Sequence, residues 1–504
     1  MGNLRDFFLS ILLPKFDVVL SYDLGNGIRV ERGGEEFAKW PPMGDAPGLP
    51  KAPRAAVETL THYFRYCSNL TAMGRPAPQV ALVVGAASLV APAVPGALNY
   101  DLSAIALLMR EWSNDARLTS HALATFLLAE NLNDLHPLLV NNPAAVTVKV
   151  PLPEPGELAV AFAHLAPSYP VALGGFADEL DALAVQLRGA SFNAIESRLR
   201  RWEHAGKALG TGDLVAMRRE IVERECDGLI EFIEPTRSLD DVHGQPKLKE
   251  MLRQDFALWR ANDLRALPMG YLVCGPVGTG KTYLVECLAG EAGVPVVKLK
   301  NFRDKWVGST EGNLEKIFRL LQALGRCFVF VDEADQVLGR RDAAGNDGGL
   351  SGRIYSMFAT EMSNPANRGK VVWVLATSRP DLVEVDLKRP GRIDVKVPIF
   401  PTTTAREAFD LLRALCRRRE VEIAEGDFAE IEPLLPGLLT PGAADALAVK
   451  IYRVAKLEGL GPVAAVRRCL EGYQHPVPMA VLEAQIRLAV AEASDMEFVP
   501  EVFR

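Results

Sequence analysis

The 504-residue sequence contains no C-x-x-C pair and only seven cysteines, an odd and scattered set. That excludes a disulfide framework and a zinc site built on paired cysteines, and it points to a reducing, cytoplasmic compartment. A basic excess is also missing. Lys and Arg number 56 against 63 Asp and Glu, a net charge of −7. A general nucleic-acid or anionic-membrane footprint needs the opposite sign, so neither partner is expected. The first residues lack the basic stretch of a secretory signal, and Asp6 stands where a myristoylation motif requires Ser or Thr. One long uncharged run exists, Val80–Leu98, but Pro92 and Pro95 interrupt it, so no membrane span is expected. What remains is 49% apolar and 24% charged, the balance of a chain that packs cores, in a length that suits three or four domains.

The strongest positive signal is Gly275-Pro276-Val277-Gly278-Thr279-Gly280-Lys281-Thr282, which fits G-x-x-x-x-G-K-[ST]. A short apolar run, Tyr271–Cys274, precedes it, and a helix-forming run beginning at Tyr283 follows. Glycines let backbone N–H groups wrap phosphates, and a helix N-terminus adds its positive end. Lys281 then reaches the β and γ phosphates, and the Thr282 hydroxyl is suited to Mg²⁺. ATP and Mg²⁺ are the cofactors this pattern predicts.

A phosphate loop requires an acidic strand end, and Cys327-Phe-Val-Phe-Val-Asp332-Glu333 supplies one. Asp332 is placed to hold the metal through its water shell and Glu333 to polarise the attacking water. A third apolar strand, Val371–Thr377, is expected between the other two, aiming Thr377 or Ser378 at the γ-phosphate. Arg389 and Arg392 flank Pro390-Gly391, a spacing suited to charge stabilisation at a phosphoryl transition state.

From Ser238 to about Gly442 these residues resemble the AAA ATPases, the clade of the proteasomal ATPases, katanin, spastin and NSF. The resemblance implies an α/β P-loop NTPase module with a helical lid, ATP hydrolysis, and assembly of a homo-oligomeric, hexameric ring. It implies that Val242, His243 and Gly244 meet the adenine, with His243 where Gly is usual, and that Tyr283, Gly442 and Ala443 complete the nucleotide site. Arg389 and Arg392 fall on the arginine fingers that reach a neighbouring subunit, and Ser378 on the first sensor, usually Asn. Trp306-Val307, in Lys305-Trp-Val-Gly308, resembles the aromatic pore loop that grips a polypeptide; a tryptophan anchoring the loop in the core is the other reading. Gly345–Gly352 is a second, glycine-dense pore-loop candidate.

An internal repeat is also present. At a shift of 247 residues Phe126–Pro151 lies on Trp373–Pro398 with nine of 26 positions identical, and Val80–Ser88 lies on Cys327–Asp335. In this first copy Gly85 and Ala86 stand for Asp332 and Glu333, and Asn142 and Ala145 for Arg389 and Arg392. Asp17–Ser21 is taken as its first strand, leading to Asp23–Gly27 without a Gly-Lys-Thr. The organisation expected is a degenerate AAA-like α/β domain (1–153), a helical lid-like region and connector (154–235), an active AAA α/β domain (236–400) and a C-terminal helical lid (401–504). The whole chain resembles the AAA type first described as a hypothetical open reading frame of algal chloroplasts.

The function expected is an ATP-hydrolysing ring that remodels, unfolds or disassembles a protein substrate, alone or through an adaptor. The alternative is a nucleotide-regulated assembly or scaffold ATPase that threads nothing. A DNA-acting loader is disfavoured by the acidic balance, and no H-E-x-x-H protease motif occurs.

Overall fold

The computed structural model describes residues 7–504 except 44–47, 95–98, 177–178, 227, 234–236, 262, 264, 266, 293, 301–309 and 339–349. The chain divides into two compact units, Met1–Val150 with Lys305–Glu315, and Pro151–Asp304 with Lys316–Arg504.

In the first unit four strands are ordered β2-β1-β3-β4. β1 (Val18–Asp23), β3 (Val80–Val84) and β4 (Leu123–Leu127) are parallel, and β2 (Gly27–Arg32) returns antiparallel to β1. β3 is charge-free because both its faces are covered. Val80, Leu82 and Val84 join the main core, and Ala81 and Val83 join a smaller cluster with Phe8 and Leu13. That burial accounts for the uncharged run at Val80, and no helix among the described residues is long and apolar enough to cross a membrane. The helix Pro53–Ala72 starts on a proline at its first turn, where the missing N–H costs nothing. Its Ala56, Val57, Leu60, Phe64 and Cys67 recur at helical spacing and are buried against the sheet.

The second unit holds a six-stranded sheet ordered β10-β6-β9-β8-β7-β5. β6 (Gly270–Cys274), β7 (Val296–Leu299), β8 (Cys327–Val331), β9 (Val371–Thr377) and β10 (Val395–Pro398) are parallel. β9 does lie between β6 and β8, as expected. β5 (Ile230–Ile233) pairs antiparallel to β7 in a stretch read from the sequence as a connector. Four charge-flanked residues beside a proline carry little strand signal, and only the free edge of β7 makes them a strand. Before β5 lie the helices Pro155–Leu165, Leu180–Gln186, Phe192–His204 and Thr211–Glu225, all four around one core that includes Leu158, Phe162, Leu183, Leu199 and Leu214. After β10 the helices Ala405–Arg417, Pro441–Glu458 and Pro462–Leu470 enclose another.

The two sheets share an internal pattern, with two corrections to the sequence reading. Ala86 has φ 47° and Glu333 φ 48°, each at the turn that ends β3 or β8, and a one-turn helix follows each. A shift of 247 therefore holds there. In the next strand it slips by one. Val80 pairs with Leu123, whereas Cys327 pairs with Val371, so β4 matches β9 at 248. Period-2 alternation makes the slip visible, because a one-residue error sends every side chain to the opposite face. At 248 Phe126 matches Val374, and each faces the same side as the residues that match on β3 and β8.

The second correction concerns β1. It adjoins β3, so it holds the position of β7 and not that of the P-loop strand β6. Asp23 accepts the N–H groups of Gly25 and Asn26 at 3.0 and 2.8 Å, which makes Asp23–Gly27 a hairpin turn and not a phosphate loop. Counterparts of β6 and β10 are absent among the described residues of the first unit. Residues 146–150, which match β10 in sequence, lie outside any strand, with Val146 90% and Val148 80% exposed.

Candidate active site

The phosphate loop leaves β6 at Cys274 and enters the helix Lys281–Ala292. Gly278 and Gly280 both have φ 84°, a left-handed conformation that disfavours other residues. A Cβ on Gly275 would lie 2.1 Å from the Ile399 carbonyl oxygen. The glycines are thus demanded by backbone geometry, as the motif predicts. Lys281 Nζ folds back and donates to the carbonyls of Gly275 and Pro276 at 2.8 and 2.9 Å. Burial pushes its ammonium down to about 8. This partly buried cation is held by two neutral carbonyls and forms no ion pair among the described residues, and the loop beside it is shaped for a phosphate. The Thr282 hydroxyl donates to Asp332 Oδ2 at 3.1 Å, the pairing of hydroxyl and carboxylate that an octahedral Mg²⁺ accepts.

β8 delivers Asp332 and Glu333 to the same cavity, about 1290 Å³, which also receives Thr282, Ser378 and Gly442. Asp332 Oδ1 accepts the Glu333 N–H at 3.1 Å. Thr377, 1% exposed, donates its hydroxyl to Asp335 Oδ1 at 2.6 Å and accepts the Arg379 N–H at 2.9 Å. Both candidates at the end of β9 line the cavity, but the Thr377 hydroxyl is occupied in holding the strand end.

On the far side of the cavity lie Val242, His243 and Gly244, between a capping box at Ser238 and the helix Pro246–Arg260. Burial, then the charges of Arg418 and Lys249, hold the His243 imidazole below its usual range. Tyr283 donates its hydroxyl to the Asp241 carbonyl at 3.4 Å and accepts from Arg418 Nη2 at 3.0 Å, with the Arg237 guanidinium 4.8 Å above its ring. The C-terminal helices close the loop side. Gly442 N donates to Gly278 O at 2.9 Å, and Ala443 N to the capping Thr440 hydroxyl at 3.3 Å. A Cβ on Gly442 would meet Gly278 O at 3.3 Å, so a small residue is favoured at this contact.

Residues 271–400 match the ATPase family associated with various cellular activities (AAA). Residues 271–400 form an AAA ATPase domain. Residues 1–151 match the N-terminal Rossmann-like domain of AAA+ chaperones. The ATP-dependent zinc metalloprotease FtsH of Lancefieldella parvula is 30% identical over 44% of this chain and 34% of its own length. Protein mac-1 of Caenorhabditis elegans is 31% identical over 40% of this chain and 26% of its own length. The peroxisomal ATPase PEX6 of Penicillium chrysogenum is 33% identical over 36% of this chain and 13% of its own length. The chain thus spans about a third or less of the length of these relatives. A solved structure, that of the FIGL-1 AAA domain in complex with ADP, matches over 53% of this chain and 94% of its own, at 19% identity and a TM-score of 0.43.

Within the AAA domain Arg389 and Arg392 converge on one acid. Asp386 pairs with Arg389 at 2.6 Å and with Arg392, and it accepts the Tyr355 hydroxyl at 2.8 Å. Arg389 is exposed and Arg392 largely covered. Trp306 and Val307 lie outside the described residues, as does Gly345–Gly349 of the second pore-loop candidate.

Three residues near the AAA site were not read from the sequence. Gln485, on the helix Met479–Glu492, accepts the Val277 N–H of the phosphate loop at 3.0 Å, and Arg418 pairs with Asp241 at 3.3 Å. Both come from helices more than a hundred residues away in sequence, and no local spacing marks them. Lys298 lies 3.1 Å from Asp332. Its signal was available, as a lone charge inside the apolar strand Val296–Leu299.

Proposed function

We propose that this chain is a Mg²⁺-dependent ATPase that assembles as a homo-oligomeric, hexameric ring and remodels a protein substrate. One observation carries the reading: Lys281, Thr282, Asp332 and Glu333 line a single cavity that Gly442 closes. Thr282 and Asp332 would hold Mg²⁺, which neutralises phosphate charge when bound. Lys281 exchanges its two carbonyl partners for phosphate oxygens. The loop Gly275–Thr282 wraps the phosphates, with the N–H groups from Gly278 to Thr282 as donors, since Pro276 has none and those of Gly275 and Val277 donate to Thr377 and Gln485; Val242, His243, Gly244 and Tyr283 bound the adenine. Glu333 orients the attacking water and takes up its proton. Ser378 hydrogen-bonds at the γ-phosphate with a shorter reach than asparagine, which favours slow turnover.

In this reading Arg389 and Arg392 leave Asp386 to complete a neighbour's site, and Trp306 and Val307 contact the polypeptide. The working parts are a degenerate α/β domain (1–153), a helical region with its connector (154–235), the ATPase domain (236–400) and a helical lid (401–504), the order shared with the chloroplast-frame type. A cytoplasmic setting is supported by seven buried cysteines, none of them in a disulfide.

The test separates binding from hydrolysis. Glu333→Gln keeps nucleotide affinity within about threefold and lowers turnover by roughly 10²–10⁴. Lys281→Ala loses binding itself. An unfolded polypeptide stimulates wild-type hydrolysis, and Trp306→Ala removes the stimulation while the basal rate stays. Hydrolysis by Glu333→Gln at the wild-type rate rejects the assignment of the water-activating group.

A further inference from the structure

Lys298 has no part in the chemistry above, yet it sits on the metal-binding carboxylate. On β7 its neighbours Val296, Val297 and Leu299 are buried, and Lys298 alone is partly exposed. Its strand partner on β8 is Phe330, and its ammonium lies 5.4 Å from that ring's centroid. Nζ is 3.1 Å from Asp332 Oδ2, the same oxygen that accepts the Thr282 hydroxyl at 3.1 Å. Both charged side chains are about two-thirds covered, which limits solvent screening of the pair. Lys281, the other lysine at this end of the cavity, is turned to the carbonyls of Gly275 and Pro276.

We propose that Lys298 is a built-in counter-cation for the metal site: it neutralises Asp332 while the metal is away and must give up Oδ2 when Mg²⁺ arrives. It is a positioning residue. Two consequences follow from charge alone. A polyanionic nucleotide without metal meets one carboxylate charge fewer, so metal-free binding is strengthened. Mg²⁺ must displace an ammonium from the oxygen it needs, so metal binding is weakened. Both effects narrow the gap between nucleotide affinity with and without Mg²⁺.

The inference rests on the nucleotide site proposed above, and its test reads binding and not turnover. The probe is a fluorescent, non-hydrolysable ATP analogue, titrated onto the full chain in EDTA and across a Mg²⁺ series. Lys298→Met keeps the aliphatic stem. It should weaken metal-free binding about tenfold and lower the half-saturating Mg²⁺ concentration several-fold, the scale of one partly screened unit charge at these distances. Lys298→Arg should stay within about twofold of wild type. In an Asp332→Asn background, Lys298→Met should shift the half-saturating Mg²⁺ concentration by less than twofold, because the carboxylate for which ammonium and metal compete is gone. This second pair keeps the test valid if Lys298→Met alone folds poorly. An unchanged affinity gap in Lys298→Met overturns the inference. So does an equal loss of binding with and without Mg²⁺, which would make Lys298 a phosphate ligand. A wild-type chain that binds no nucleotide in either buffer overturns the nucleotide site and this inference together.

Discussion

Glu333 and Ala86 occupy the same left-handed turn, at φ 48° and 47°. An L-residue there costs of the order of 1 kcal/mol, so the turn is imposed by its surroundings. In the first unit those surroundings survive without the carboxylate: Ala87 N still donates to Leu128 O at 2.7 Å across the strand ends. Chemistry was replaced at this position while its backbone stayed. His243 illustrates the reverse, a side chain where the related motif has none. Its imidazole is held below the ordinary range by burial first, then by Arg418 and Lys249, with Asp410 and Asp241 pulling the other way. A histidine depressed on folding binds fewer protons in the folded state than in the unfolded one near and just below pH 6.5. Stability is therefore lost as pH falls through that region. Thermal unfolding should show wild type losing stability relative to His243→Gln between pH 7 and 5.5, with the two curves parallel above pH 7.5. Curves parallel throughout would mean that the ring protonates freely.

At the scale of the element, the described residues of the first unit lack whole strands of the ATPase sheet and not only the acidic pair. β2-β1-β3-β4 repeats the β5-β7-β8-β9 side of the ATPase sheet, and residues 7–16 contribute to the face that the P-loop helix covers in the other. Without a counterpart of β6 there is no strand end to launch a phosphate loop, so restoring Asp and Glu at Gly85 and Ala86 would not restore a site. The full chain carrying Lys281→Ala should accordingly show no residual nucleotide binding by calorimetry at millimolar ATP. A remaining Mg²⁺-dependent site would place nucleotide in the first unit. The residues after Asn142 bear the same imprint: Val146, Val148 and Val150 alternate as a strand does, yet they lie in no strand among the described residues.

For the whole molecule the decisive element is the turn that carries Arg389 and Arg392. In the single chain both pair with Asp386. Reaching a neighbour's phosphate means leaving that acid, and an exposed pair contributes little to hold Arg389 back. A finger supplied in trans is worth roughly 10³–10⁵ in rate in other phosphoryl-transfer systems. Arg392→Ala should lower turnover by about that factor and leave ATP affinity within about twofold. Mixing it with Lys281→Ala should restore part of the activity, because some interfaces then combine an intact loop with an intact finger. Specific activity of the wild type should fall on dilution as assemblies dissociate, measured alongside sizing. Constant specific activity down to concentrations where only monomer remains would rule out a shared site.

The sequence by itself determined the parts whose physics is local. A phosphate loop is eight consecutive residues with backbone demands that only glycine meets, and a buried parallel strand ending in carboxylates announces itself by composition. The repeat was legible for the same reason, since Val80–Ser88 and Phe126–Pro151 are contiguous. What depends on pairing was not legible. Strand order moved β1 from the P-loop position to that of β7, and register moved β4 by one residue, because hydrogen bonds between strands leave no trace in a single strand's composition. Tertiary structure alone brought Gln485 to the phosphate loop, Arg418 to Tyr283 and Lys298 to Asp332. Each is a contact between elements far apart in sequence, decided by how helices and strands pack and not by any spacing along the chain.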